Sequence, residues 1–418
     1  MADGGNHAGR DRQPDEDADA LLAHHEQLHG PVSDCPILDG NRVTLLHHGA
    51  AVVDAVMDAI EAARDYVHME YYTADDVTLS GRSLFALLEA TARRGVEVAL
   101  TWDAVGSGPT PDAAFDRLAA AGVRLLEYHS INPLRARFNI RLNDRNHRKL
   151  TVVDGQVAVM GGVNMSKVYE TPPEVGRGPD PDHGFWIDNG VRIEGPAVAE
   201  IHRLFFHTWD GNGGVQTPPL RGRGDPAPAP RTGPEGNQRI RVDGSAPAER
   251  RPLYNMSMRA AIAGARSHIL LATGYFVPSR REWRLLAEAA RRGVEVRLLL
   301  PGYSDVQAAV HAARALYGRL LKAGVHIHEV HDAMLHAKVA TIDGVFTAIG
   351  SSNFDWRSVH YNNEIDAIVL AKETASHVET MLRGQIDRAV TVDYETWAAR
   401  SAREHALELS ARLWKRLM

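Results

Sequence analysis

The sequence predicts an α/β protein built from two tandem domains, each a mixed β-sheet flanked by helices, the two related by a pseudo-twofold axis. Three observations carry this. The string RRGVEV occurs at Arg93–Val98 and again at Arg291–Val296. Each copy sits between a helical stretch and an apolar strand. A His-x-Lys pair followed at fixed spacing by Asp-Gly recurs 189 residues apart, at His147 and at His336. A repeat of that length is a duplicated domain, since solenoid repeats run to about 20–50 residues.

The elements follow in order. Residues 1–35 are polar and charged, without an apolar core that would serve as a secretory signal, and read as a flexible amino-terminal tail. The first domain is expected over 36–216. In it, Ala55–Tyr72 reads as a helix passing into a strand, Leu84–Ala92 as a helix and Val96–Trp102 as a strand. Residues 217–236, rich in Pro, Gly and Arg, read as a linker. The second domain, 237–396, repeats the pattern with Met258–Phe276, Trp283–Ala290 and Val294–Leu300. Residues 397–418 are expected to form a carboxy-terminal helix that packs on the domain, an interfacial helix being the alternative. Glu170–His183 has no counterpart in the second half and reads as a surface loop.

Composition narrows the function. The 418 residues are 44% hydrophobic and 24% charged, as in a soluble globular protein. A net charge of −6 argues against a polycation built for nucleic acid. The single cysteine, Cys35, leaves no intramolecular disulfide framework and fits a reducing compartment. No apolar run reaches the roughly 18 residues of a membrane span. The expected location is the cytoplasm, with peripheral contact at the inner face of the plasma membrane left open. Of 47 basic residues only six are lysine, so two lysines at matched points of a repeat are a selective signal.

The chemistry lies in the repeat. Each His-x-Lys pair is followed after four residues by an aspartate, Asp154 or Asp343, and then glycine. Asp-Gly between two β-branched apolar stretches marks a hairpin turn. Histidine and lysine then lie two apart on a strand and share a face. The aspartates read as residues that shape the turns and carry no proton. The second strand of each hairpin runs into a small-residue turn, Gly161-Gly162-Val163-Asn164 or Gly350-Ser351-Ser352-Asn353. Small residues admit an anion close to the backbone, and an Asn amide donates to it. Asn164, Ser351 and Asn353 are therefore the expected phosphate-binding residues. Two imidazoles, two ammoniums and two amides around one point suit a phosphodiester. One histidine attacks phosphorus and the other protonates the leaving oxygen, while the polar groups stabilise the non-bridging oxygens. No cofactor or metal is called for. His326, His328 and His331 have a metal-like spacing but no companion acid or cysteine cluster. A lone His-x-Lys pair would read as solvated strand residues, and its duplication argues against that.

These residues resemble the paired motifs of the phospholipase D superfamily, over roughly Asp39 to Leu370. Within it the chain is similar to bacterial cardiolipin synthases, on the segments His68–Tyr72, Asp103–Ser107, Arg145–Lys149, Phe276–Pro278 and Gly350–Ser358 closing with Asn363-Glu364. It looks like the subgroup without amino-terminal membrane helices. It departs from many members in having Gly162 where they have serine.

The resemblance implies two phospholipase D-like domains, with His147, Lys149 and Asp154 matched by His336, Lys338 and Asp343. It makes His147 the nucleophile that forms a phosphohistidine and His336 the general acid, then base, a choice that sequence symmetry leaves open. It places Glu364 as the carboxylate orienting a motif histidine, with Asp188 as the first-half counterpart, against the alternative that both are surface strand acids.

The expected reaction joins two phosphatidylglycerols into cardiolipin plus glycerol. A phospholipase D hydrolase releasing phosphatidic acid, a nuclease and a non-catalytic lipid-binding module are the alternatives. The partner is an anionic phospholipid, phosphatidylglycerol, met through peripheral contact with a membrane surface. Nucleic acid is not expected, and one chain holding both motifs requires no oligomer. Arg135, Arg137, Arg141, Arg145 and Arg148, crowded before the first motif, are expected either to attract an anionic headgroup or nucleic-acid backbone or to form a solvated basic face.

Overall fold

The computed structural model describes residues 14–32, 35–130, 144–170, 186–214, 218–231, 236–246 and 252–400. Arg135, Arg137 and Arg141, most of the Glu170–His183 insertion and residues 401–418 of the expected terminal helix lie outside them.

Both halves fold as the repeat predicts. In the first, the sheet runs Leu38–Leu46, Gly190–Glu194, Val157–Gly161, Leu150–Val153, Tyr66–Tyr71, Glu97–Asp103, Arg124–Tyr128. In the second it runs Gln238–Ser245, Asn362–Leu370, Phe346–Gly350, Lys338–Ile342, His268–Thr273, Glu295–Pro301, His326–Val330. The outer three strands of each half are parallel and the rest antiparallel, which makes both sheets mixed. The halves do not keep separate sheets. Leu38–Leu46 pairs antiparallel with Gln238–Ser245, so one sheet crosses the molecule and its strand order reads the same from either end, apart from one extra edge strand, Val390–Thr391.

Helices cover both faces. On one, Gly49–Ala62 and Leu84–Arg93 pack over the first half, and Leu253–Gly264, Arg280–Arg291 and Gln307–Leu321 over the second, giving two apolar cores. On the other, Ala197–Gly211 and Lys372–Ile386 cover a single core that includes Val43, Ile193, Val242 and Ile365 and so spans both halves. Each of these two helices also touches the central strand of the opposite half. Burial of each such aliphatic side chain contributes about 1.5–3 kcal/mol, and here that energy also fixes one half against the other.

The amino-terminal segment departs from the expected flexible tail. Pro14–His29 is an α-helix, followed by a 3-10 turn at Gly30–Val32. Leu22 packs on the second core, and the His29 ring stacks on Phe346 with centroids 4.9 Å apart. His25 Nε2 lies 3.0 Å from Asp343 Oδ2. Leu22, His25 and His29 share a helix face, but two of the three are histidines, so the stripe does not register as apolar. The inter-domain segment is also anchored. Leu220 is buried, the Arg221 amide donates to Glu97 (2.6 Å) and the Arg231 amide to the Gly40 carbonyl (2.7 Å).

The two Asp-Gly turns form as predicted, with Asp154 and Asp343 both at positive φ (50° and 57°). Their carboxylates do more than shape a turn. Asp154 accepts from the amides of Arg64, Asp65 and Tyr66 at 2.8–2.9 Å. Asp343 accepts from those of Arg266, Ser267 and His268, the closest at 2.7 Å. Each aspartate thus ties its hairpin to the turn that starts the neighbouring strand. Burial alone would raise the Asp343 pKa, yet it is lowered, because the His25 and amide hydrogen bonds favour the carboxylate. Asp343 is fully buried with a histidine partner, whereas Asp154 serves only amides near the surface. Replacement by alanine is expected to cost about 3 kcal/mol at Asp343 and less at Asp154, measured as the shift in urea midpoint.

Candidate active site

Each motif histidine is held by the opposite half. Arg145-Asn146 forms a two-residue parallel pairing with Asn362-Asn363, after which the His147 amide donates to the Asn363 carbonyl (2.9 Å). Trp186-Ile187 pairs in the same way with Met334-Leu335, and the His336 amide donates to the Ile187 carbonyl (2.8 Å). The next residue of each pairing partner is the carboxylate. Glu364 lies 2.9 Å from His147 Nδ1, and Asp188 lies 2.7 Å from His336 Nδ1. Both acids are fully buried, so neither is a surface strand acid. With Nδ1 taken, Nε2 is the ring nitrogen left to a ligand on each histidine. The histidines stand just before their hairpin strands, not on them, where the backbone is free to pair across the halves.

Lys149 and Lys338 are buried, and each ammonium donates to the carbonyl of its own motif histidine, Lys149 at 2.7 Å. The Lys149 ammonium also lies 5.4 Å from the centroid of the Tyr72 ring. A cavity of 610 Å³ opens over His147 and His336. Asn164 and Asn353 line it as expected. The side-chain oxygen of Asn164 accepts from the Thr73 amide (3.2 Å), which leaves its NH2 group for a ligand. The side-chain oxygen of Asn353 is buried without a partner.

Ser351, expected at the phosphate, does not line the cavity. It is wholly buried behind Glu364, donates to Oε2 at 2.5 Å and accepts from the Ile365 amide. Gly162, its counterpart, has no room for a side chain, because a Cβ would fall 2.2 Å from Asp188 Oδ1. The basic cluster is also corrected. Arg148 is buried and donates to the carbonyls of Glu364, Leu204 and Ser245 and to the Thr208 hydroxyl, at 2.9–3.1 Å. It therefore clamps the strand bearing Glu364. Arg145 is buried 3.4 Å from Asp103 and forms part of the cavity wall. His328 bonds Thr391 and His331 bonds Glu329.

Several site residues escape the sequence reading. Tyr169 donates to Asp188 Oδ2 (3.0 Å), and burial followed by Asp188 raises its pKa well above the ordinary value, so it stays a donor. Trp186 lies against His336 with centroids 5.0 Å apart. Tyr72 and Tyr275 approach His147 and His336 edge-on from corresponding strand ends. The repeat carries a signal for that pair, an aromatic just past the same strand in both halves. Nothing comparable marks Tyr169.

Electrostatics set the protonation states. Burial lowers the His147 pKa to about 4, Glu364 opposing and Lys149 reinforcing the shift. Burial and Lys338 lower His336, with Asp188 opposing. Lys149 is lowered to about 7 by burial, against Glu364, with Lys338 adding to the shift. Asp188 and Glu364 are both lowered, because their cationic and histidine neighbours outweigh burial. Burial thus biases both imidazoles and both lysines toward their neutral forms, while the two carboxylates are held ionised. A neutral His147 carries its free lone pair on Nε2, the nitrogen that Glu364 leaves open. An anion entering the cavity would favour the protonated form of either imidazole.

Comparisons with known proteins show the family of this chain. The family model described as cardiolipin synthase, PLD-like domain, matches residues 56–170 and 258–385, and the chain belongs to that family. The cardiolipin synthase of Geobacillus thermodenitrificans (strain NG80-2) is 31% identical over 393 residues, 92% of this chain and 74% of that protein. Cardiolipin synthase A of Pseudomonas putida (strain GB-1) is 33% identical over 366 residues, 87% of this chain and 72% of that protein. Among solved structures, phosphatidylserine synthase of Haemophilus influenzae Rd KW20 superposes with a TM-score of 0.66 at 12% identity, covering 95% of this chain and 98% of that one, a likeness of fold.

The pH dependence of kcat/KM follows from the free-site protonation states. It should rise as His147 deprotonates near about 4 and fall as His336, held below its ordinary value, and then Lys149, near about 7, lose their protons. The optimum therefore lies on the acid side of neutrality. In Glu364→Gln the carboxylate that supports the His147 cation is gone, so the acid limb should move to lower pH.

Proposed function

We propose that this member of the cardiolipin synthase family is a phosphatidyltransferase that joins two phosphatidylglycerols into cardiolipin and glycerol. The observation that carries the reading is the pair of motif histidines, each fixed through Nδ1 by a buried carboxylate and both lining one cavity. The names and extent of the curated relatives support the lipid substrate.

His147 Nε2 attacks the phosphorus of the first phosphatidylglycerol. The bond from phosphorus to the glycerol headgroup oxygen breaks, His336 gives that oxygen its proton, and glycerol leaves. His336, now neutral, takes the proton from a headgroup hydroxyl of the second phosphatidylglycerol. That oxygen attacks the phosphohistidine, the phosphorus–nitrogen bond breaks, and His147 is restored. Lys149, Lys338, Asn164 and Asn353 stabilise charge on the non-bridging oxygens. Asp154 and Asp343 take no part in proton transfer, being committed to backbone amides at the far ends of the hairpin strands.

The cavity wall suits a second lipid better than bulk water. Val168, Trp186, Val277, Val306 and Ala309 give the cavity apolar lining, with Trp186 against His336. Among the described residues no helix is long and apolar enough to cross a membrane, so lipid is proposed to enter by peripheral contact with the bilayer.

Product analysis with phosphatidylglycerol vesicles tests the reading. Cardiolipin and glycerol are expected, with losses of at least about 10³-fold in His147→Ala and His336→Ala. Phosphatidic acid without cardiolipin would make the enzyme a hydrolase. Turnover unchanged in His147→Ala would refute the covalent route.

A further inference from the structure

A second concave site lies on the outer surface of the second half, between the helices Arg280–Arg291 and Gln307–Leu321. Its floor is apolar, made by Trp283, Ala312, Ala315 and Leu316. Three exposed arginines, Arg280, Arg284 and Arg319, complete its lining. The guanidinium carbons of Arg284 and Arg319 lie 5.7 and 5.6 Å from the centroid of the Trp283 ring. The groove measures 530 Å³.

The duplicated fold provides an internal control. On the repeat offset of RRGVEV, Arg280 corresponds to Arg82, and on the offset of Gly122-Val123 with Gly324-Val325, Arg319 corresponds to Arg117. The first-half arginines are neutralised. Arg82 pairs with Asp54, Asp58 and Glu61, and Arg117 with Glu89. Among the described residues, none of Arg280, Arg284 and Arg319 has an ion pair, and Arg284 replaces Ala86. The second half thus gathers three uncompensated cations over an apolar floor where the first has none, in a chain whose net charge is −6.

We propose that this groove binds an anionic phospholipid of the bilayer, its phosphate among the three guanidiniums and its acyl chain along Trp283 and Leu316, and so seats the protein on the membrane. Arginine suits phosphate through its planar fork of donors, and tryptophan suits the membrane interface. The groove borders the active-site cavity. Ala309 lines the cavity and Ala312, one turn further along the same helix, lines the groove, and with Val277 they form one apolar cluster. A lipid held there places the cavity mouth at the bilayer surface. Residues 401–418 are a poorer occupant, since Arg403, Arg412, Lys415 and Arg416 outnumber Glu404 and Glu408 and would repel the groove.

The site rests on the lipid-transferring reading, and its test is kept separate from turnover. Co-sedimentation of the full-length His147→Ala protein is measured with phosphatidylcholine vesicles, with and without phosphatidylglycerol. Adding Arg280→Ala, Arg284→Ala and Arg319→Ala together should lower partition onto the anionic vesicles about 100-fold, and each alone about fivefold. Arg82→Ala with Arg117→Ala should leave it unchanged, and Trp283 fluorescence should respond only to the anionic vesicles. Activity of the triple variant in the wild-type background on dispersed short-chain phosphatidylglycerol should be retained. Wild-type partition in the triple variant, or an equal loss in the Arg82/Arg117 control, would overturn the inference. Absence of turnover in wild type with arginine-dependent binding intact would instead overturn the functional reading and leave the groove standing.

Discussion

The rest of the structure depends on one exchange, in which each half supplies the carboxylate that orients the other half's histidine. Glu364 reaches His147 and Asp188 reaches His336, each one residue beyond a short parallel pairing between the halves. Neither half therefore holds a complete site, and a slip of either pairing would remove a carboxylate from its imidazole. This explains why the two sheets are joined edge to edge, why one apolar core spans both, and why Arg148 spends its donors on the strand of Glu364. The precision that phosphoryl transfer needs is bought by fixing the halves as one body.

Burial gives this site its chemistry and also its cost. Two ammoniums and two carboxylates sit in low dielectric, where each would be expensive alone. They offset one another, and removing one partner leaves an uncompensated charge worth about 3–5 kcal/mol of stability. The balance lowers the proton affinity of both imidazoles in the free site, and an anion beside them would raise it again. The site is set to respond to the charge it binds.

Duplication gave two similar halves, and the differences between them divide the work. Glu364 is supported by Ser351, whereas the shorter Asp188 takes a Tyr169 hydroxyl and needs Gly162 beside it. Arg148 crosses to the opposite half, and the matching residue of the second motif is Ala337. Arg82 and Arg117 are paired with acids, while Arg280 and Arg319 face an open groove. The two histidines keep their symmetry and the surroundings lose it, so that equivalent imidazoles sit in different environments.

The sequence by itself determined the duplication, the hairpins and the pairing of His147 and Lys149 with His336 and Lys338, because each is a local pattern: a repeated string, an Asp-Gly turn, a fixed spacing of histidine and lysine. It also placed Asn164 and Asn353 at the cavity, through the small-residue turns that follow those hairpins. Tertiary structure decided what depends on contacts between distant segments. It put Ser351 behind Glu364 and away from the cavity wall, and it buried Arg145 and Arg148, which a string of arginines presents as a basic surface. It brought Tyr169 to Asp188 from an unremarkable stretch of chain. It also turned an apparent tail into a helix, because His25 and His29 bury against Asp343 and Phe346, a fit that polarity scales cannot register. Periodicity reports which face of an element is apolar. Which charge meets which across more than a hundred residues is set only when the chain closes on itself.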